Sequence, residues 1–187
     1  MQKIMASIDT LQFFSLPGYG NSGPGHWQTW MEGRLQDCTR IEQHSWEKPD
    51  NTLWIQTIQS TIGDTDPSKV FIIAHSLGCI AVAYWAKKYK LTIAGALLVG
   101  PPDIENPYTD LGLESFLPIP DTTLPFPSLV IGSTNDHWAT VSRVEEFAKS
   151  WGSQLYFEEN AGHINTDAGF GPWENGLYLL ENFINTL

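Results

Sequence analysis

Basic residues are scarce. Lysine and arginine total 10 against 21 aspartates and glutamates, giving this chain of 187 residues a formal charge of −11. The few cations are scattered apart from Lys87, Lys88 and Lys90, so neither nucleic acid nor an anionic membrane is expected as a partner. The two cysteines, Cys38 and Cys79, are too few for a disulfide framework. The five histidines show no His-x-x-x-His or His-Glu-x-x-His spacing, so no metal site is expected. No Gly-x-Gly-x-x-Gly follows the first apolar run, so dinucleotide binding has no support, and no cofactor is expected. No stretch is long enough to span a bilayer, and Met1–Ser7 lacks the apolar region of a signal peptide. Cytoplasm is the expected compartment.

What is present describes one folded unit. Apolar residues make up 42% and tryptophan occurs eight times, which excludes disorder. A chain of this length buries roughly 70% of its unfolded surface. One domain over residues 1–187 is expected, with a partial cap or insertion at about 101–127.

The informative stretch runs from Lys69 to Lys88. Val70–Ala74 is a short β-rich apolar run suited to a parallel strand buried on both faces. From Leu77 the chain is apolar on nearly every side and rich in alanine, as in a buried helix. Between them stands Ala74-His75-Ser76-Leu77-Gly78, a small-x-Ser-x-Gly pattern at a strand-to-helix junction, the setting of a nucleophile elbow. Such a turn pushes the serine hydroxyl into the open. Strand and helix pass close together, so the positions two before and two after must be small. The Leu77 N–H would open the helix, where unpaired donors and the dipole favour negative charge. An ordinary βα junction containing serine is the plainer reading.

Around this unit strands alternate with helices. Leu11–Leu16 reads as a first strand, followed by the glycine- and proline-rich 17–25 loop, whose backbone can approach a ligand. His26–Leu35 reads as a helix and Cys38–Gln43 as a weak strand. Pro49–Ile62 reads as a helix with Leu53, Ile55, Ile58 and Ile62 as its core residues. Leu91–Gly100 and Ser128–Gly132 read as strands. Ala139–Trp151 is an amphipathic helix with Val141, Val144, Ala148 and Trp151 on one stripe. Gln154–Glu158 is the last strand, and a closing helix starts near Trp173. The 101–127 insertion holds seven of the twelve prolines, together with Tyr108, Phe116 and Phe126. Right-handed crossovers then build one parallel sheet with helices on both faces.

Ligands of such sheets bind beyond the carboxyl ends of the strands. Ser76, Asp103, Asp136 and His163 all emerge from strand ends. The order Ser, Asp, His is that of the α/β-hydrolases. A serine hydroxyl needs a base, and the base needs an orienting partner. His163 is the expected base and Asp136 the expected carboxylate. Asp136 could instead cap the next helix, since Asn-Asp is a normal N-cap sequence, and Asp103 is a rival acid. Leu77 and Tyr19 are the expected oxyanion donors through their backbone N–H groups, with Gly20 the near alternative. Trp138, Phe116 and Tyr19 are candidates for lining an acyl pocket, although each could equally be packing. His75 reads as packing and His137 as a solvated loop residue. His26 either touches the site or caps a helix.

Several stretches carry a likeness: Leu16-Pro17-Gly18-Tyr19-Gly20, Ser45-Trp46-Glu47-Lys48-Pro49, the elbow, Gly132-Ser133-Thr134-Asn135-Asp136, and the run from Trp151-Gly152-Ser153 through Gly162-His163-Ile164-Asn165 to Gly169 and Trp173. By these the chain resembles the small bacterial and animal α/β-hydrolases typified by retinoblastoma-binding protein nine. The resemblance implies a three-layer α/β-hydrolase fold with a minimal six-stranded, mostly parallel sheet and little or no cap. It maps the triad onto Ser76, Asp136 and His163 and implies that Asp103 is not the acid. The Leu-x-Cys-x-Glu segment credited with partner binding in the animal protein does not occur here, so no protein partner is carried over. A serine hydrolase acting on small carboxylic esters is expected. A peptidase or amidase, or a non-catalytic interaction module on the same scaffold, are the rivals.

Overall fold

Phe13 and Phe14 are neighbours in sequence, and both are buried, on opposite sides of one sheet. That alternation, repeated along the inner strands, sets the architecture. The computed structural model describes residues 10–106 and 111–187; Met1–Ser7 and Tyr108 lie outside the described residues. The strands are β1 (Gln12–Leu16), β2 (Cys38–Arg40), β3 (Val70–His75), β4 (Gly95–Val99), β5 (Ser128–Ser133) and β6 (Gln154–Glu158). They form one six-stranded sheet in the order β2-β1-β3-β4-β5-β6, and every neighbouring pair is parallel. The helices are α1 (Trp27–Glu32), α2 (Asn51–Ile62), α3 (Leu77–Tyr89), α4 (Val141–Trp151) and α5 (Glu174–Ile184).

Helices cover both faces, which is why β3, β4 and β5 are buried throughout. On one face Phe14, Ile72 and Leu98 pack with Trp54 and Ile58 of α2, Ile80 and Trp85 of α3, and Trp151 of α4. On the other, Phe13, Phe71 and Leu97 pack with Trp27 and Met31 of α1 and Leu180 and Phe183 of α5. Each such large side chain contributes about 1.5–3 kcal/mol when buried. The result is a three-layer α/β-hydrolase fold, and its sheet is wholly parallel over the described residues.

Local chemistry sets the helix ends. The Asp50 side chain accepts from Leu53 N–H at 2.9 Å and starts α2. Lys87 and Lys88 lie in the last turn of α3, where cations suit the dipole. Lys90 closes that helix in the left-handed conformation, φ 53°, and residues 91–94 serve to reverse the chain, so β4 starts later than the apolar run does. At the weak strand, β2 stops at Arg40 and Ile41 turns into the core. Leu53 is a correction: it is 42% exposed, and the fully buried Trp54 takes the core position on the stripe with Ile55, Ile58 and Ile62. Val141 is half-buried, and Phe147 joins Val144, Ala148 and Trp151 in facing the sheet.

The described part of the insertion holds one short turn of 3₁₀ helix, Glu114–Phe116, and is pinned to its neighbours. Tyr84 of α3 donates to Pro118 O at 2.6 Å, and Trp151 Nε1–H of α4 donates to Pro120 O at 2.8 Å. Arg143 of α4 binds Glu105 and Asp103.

Candidate active site

The turn between β3 and α3 is strained as an elbow must be. Ser76 has φ 54° and ψ −127°, a conformation costing a non-glycine residue on the order of 1–3 kcal/mol. Close packing explains the small residues around it. A Cβ on Gly78 would lie 2.6 Å from Leu16 O and 2.9 Å from Pro17 O, so only glycine lets α3 pass β1. A Cβ on Gly18 would lie 2.7 Å from Ser76 Cβ and 3.0 Å from Leu77 N, which sets the 17–20 loop directly against the elbow.

Three strand ends bring their polar groups together. His163 Nε2 lies 2.8 Å from Ser76 Oγ, and Nδ1 lies 2.8 Å from Asp136 Oδ2. A carboxylate only accepts, so Nδ1 donates its proton to Asp136, the tautomer in which Nε2 can take a proton from the serine hydroxyl. The Asp136 side chain is 2% exposed. Its other oxygen, Oδ1, accepts from Trp138 N–H at 2.9 Å, which holds the carboxylate in a tight turn. Helix α4 is capped by Thr140 rather than by Asp136.

Asp103 goes elsewhere. It meets the Arg143 guanidinium at 3.3 Å, and its backbone N–H donates to Trp138 O. Leu77 and Tyr19 line the cavity beside Ser76, whereas Gly20 is spoken for, because its N–H donates to Trp46 O at 3.0 Å. Trp138 also lines the cavity. Phe116 is a correction: its ring is fully buried and packs edge-on against Trp54 and Tyr84, so it belongs to the core beneath the insertion.

His26 does both things that were open to it. Its Nδ1 accepts from Gln28 N–H at 3.1 Å, capping α1, and its ring lines the cavity. Burial chiefly, with Arg40 and His163 nearby, lowers its pKa to about 4. His137 is exposed at the cavity mouth, its ring 5.1 Å from that of Trp138. His75 is more than packing. It is buried, and its Nε2 lies 3.0 Å from the backbone oxygen of His163. Beneath the elbow, the Cys79 thiol points at the carbonyls of Ala74 and Val99, 3.6 and 3.4 Å away.

The cavity over Ser76 has a volume of about 590 Å³. Ile104, Leu111, Leu113 and Trp138 form one apolar wall, and Asn165, Thr166 and Asp167 form a polar one. Of these, sequence reading named only Trp138 as a pocket residue. Ile104 follows the end of β4, a position that marks cavity residues in such sheets. A second group has a role that the sequence did not disclose. Ser133, Thr134 and Asn135 use their side-chain oxygens to accept from the backbone N–H groups of Ala161, Asn160 and Gly162, at 3.0, 2.9 and 2.7 Å. The loop carrying Asp136 is thereby sewn to the loop carrying His163.

Solved structures repeat this architecture. A YdeN-like hydrolase from Pectobacterium atrosepticum is 32% identical, with 99% of this chain and 96% of that one covered at a TM-score of 0.84. The ydeN gene product of B. subtilis is 22% identical over 94% of this chain and 100% of its own, with a TM-score of 0.78. Esterase 2 of Thermogutta terrifontis shares the fold at 16% identity and a TM-score of 0.69, covering 96% of this chain and 85% of that one. Among curated proteins no sequence matches. Residues 13–182, from β1 into α5, match the serine hydrolase family, and the chain therefore belongs to that family.

Proposed function

We propose that this enzyme hydrolyses small carboxylic esters through an acyl-enzyme on Ser76, with His163 as general base and acid and Asp136 as its orienting carboxylate. The observation that carries this reading is the pair of 2.8 Å contacts on the two nitrogens of one imidazole. As Ser76 Oγ attacks the ester carbonyl, its proton passes to His163 Nε2. Asp136 stabilises the resulting imidazolium. The tetrahedral oxyanion takes the backbone N–H groups of Leu77 and Tyr19, each donor worth about 10²- to 10³-fold in rate. Collapse expels the alcohol with the proton from Nε2, and water then repeats the sequence in reverse.

The cavity supports the substrate class. Its volume suits a small molecule, and the Ile104, Leu111, Leu113 and Trp138 wall suits a short hydrocarbon group. An esterase of the same fold agrees with ester chemistry on this scaffold.

Two measurements test the proposal. A fluorophosphonate should label the wild type, and neither Ser76→Ala nor His163→Ala. p-Nitrophenyl esters of graded chain length, run beside matched anilides, should show turnover of short and medium esters well above that of any anilide. Labelling that persists in Ser76→Ala, or anilides cleaved as fast as esters, would end the proposal.

A further inference from the structure

The residue before the nucleophile is buried at the contact between two loops. We propose that His75 is a positioning residue, donating its Nε2–H to the backbone carbonyl of His163 and so fixing the base against the nucleophile. This rests on the reading of His163 as the base.

The donor direction follows from chemistry. A carbonyl oxygen only accepts, so the 3.0 Å contact requires a proton on His75 Nε2. The ring is 5% exposed and wedged between His26 and His163, with centroids 4.9 and 5.0 Å away. Trp27 meets it edge-on at 5.8 Å. Burial first, then the neighbouring His163 and His26, push its pKa well below the usual histidine value, so it stays a neutral donor.

The loop it grips needs holding. Ile164 has φ 48°, a left-handed conformation that a β-branched residue adopts only under constraint. Two successive carbonyls in this loop are each bound by a buried ring N–H. His75 takes that of His163, and Trp27 Nε1–H takes that of Ile164 at 2.8 Å. On the other side, Gly162 N–H is tied to Asn135. The His75 bond differs from the others in joining the backbone of residue 163 to the residue adjoining Ser76. Elbow and base are thus registered to each other through one side chain. Without that donor the carbonyl is left buried and unpaired, and the 163–164 peptide is held only by its Ile164 N–H bond to Ala161 O at 3.0 Å.

The test compares two substitutions of similar shape. His75→Gln keeps an N–H near the Nε2 position; His75→Met removes it. His75→Met should lower kcat by about 30-fold with little change in KM, the scale of a small misplacement of a reacting group. The far-downfield proton resonance of His163 Nδ1–H should shift or broaden in His75→Met and persist in His75→Gln, which should recover most of the lost rate. Nitrogen NMR of the wild type should show His75 protonated at Nε2 and bare at Nδ1. Wild-type kcat and an unmoved resonance in His75→Met, equal impairment of both variants, or a bare Nε2 overturns the proposal. The tautomer measurement decides should His75→Met fail to fold. His163→Ala separates the two layers. An inactive His163→Ala variant beside an unaffected His75→Met sinks only the positioning role, while an active His163→Ala sinks the base assignment and this proposal with it.

Discussion

Asp136 Oδ2 and His163 Nδ1 lie 2.8 Å apart where neither side chain is more than 7% exposed, so the pair meets out of solvent. Asp103, the other carboxylate after a strand end, instead faces Arg143. Replacing Asp136 by Asn offers Nδ1 an amide donor and inverts the tautomer that presents the lone pair to Ser76. The Asp136→Asn variant should lose on the order of 10⁴ in kcat, and Asp103→Asn should stay within about fivefold, since a partly exposed ion pair contributes little. Steady-state kinetics on one ester checks both, and the reverse ranking would remove Asp136 from the site.

The two glycines of the 17–20 loop should respond in different ways. At Gly18 a methyl group would collide with Ser76 Cβ and His75 O, at 2.7 and 2.9 Å. The Gly18→Ala variant should therefore drop kcat by about 10²-fold. Gly20 has φ +76° with open space around it, so Gly20→Ala should cost about 1 kcal/mol of stability and keep most of its rate. Paired thermal melts and kinetics distinguish the two effects.

Phe116 and Trp138 divide along the same line. Truncating the fully buried Phe116 should destabilise the fold by about 3–5 kcal/mol and leave KM nearly unchanged. Trp138→Ala should instead raise KM for longer acyl esters, with only a minor change in melting temperature. Urea titration and a chain-length series test the pair.

Acid sensitivity follows from His26. Its folded-state pKa of about 4 lies below its ordinary value, so the unfolded chain binds the extra proton first. Stability from this group is full above about pH 6.5 and is lost as pH falls towards 4, on the order of 3 kcal/mol across that window. His75 acts in the same direction. Asn caps helices well and does not titrate. The His26→Asn variant should therefore show a flatter dependence of melting temperature on pH between 7 and 4, and an unchanged slope refutes the assignment.

Residues that follow directly from a strand were legible in the chain, because a parallel sheet gathers its strand ends at one rim. Ser76, Asp136 and His163 are of this kind. So are β3 and β6, whose composition is local. Contacts made by side chains across the sheet were not legible. The His75 bond spans 88 residues of sequence, and nothing near His75 announces its partner. Ser133, Thr134 and Asn135 stood out as part of a family likeness, but their bonds to the 160–162 backbone were hidden for the same reason. Phe116 was misplaced because the proline-rich insertion has no periodicity to separate its core side from its cavity side. Leu53 failed on a finer point: the larger Trp54 beside it takes the inward position on the stripe of Ile55, Ile58 and Ile62.

Both thiols are held protonated. Burial pushes Cys38 up to about 12 and raises Cys79 above its ordinary value, the latter beneath the elbow with its sulfur turned to backbone carbonyls. Only a thiolate competes for electrophiles. Serine-directed covalent reagents should therefore not be drawn off by either thiol, so the moles of adduct formed would count catalytic centres directly in any preparation.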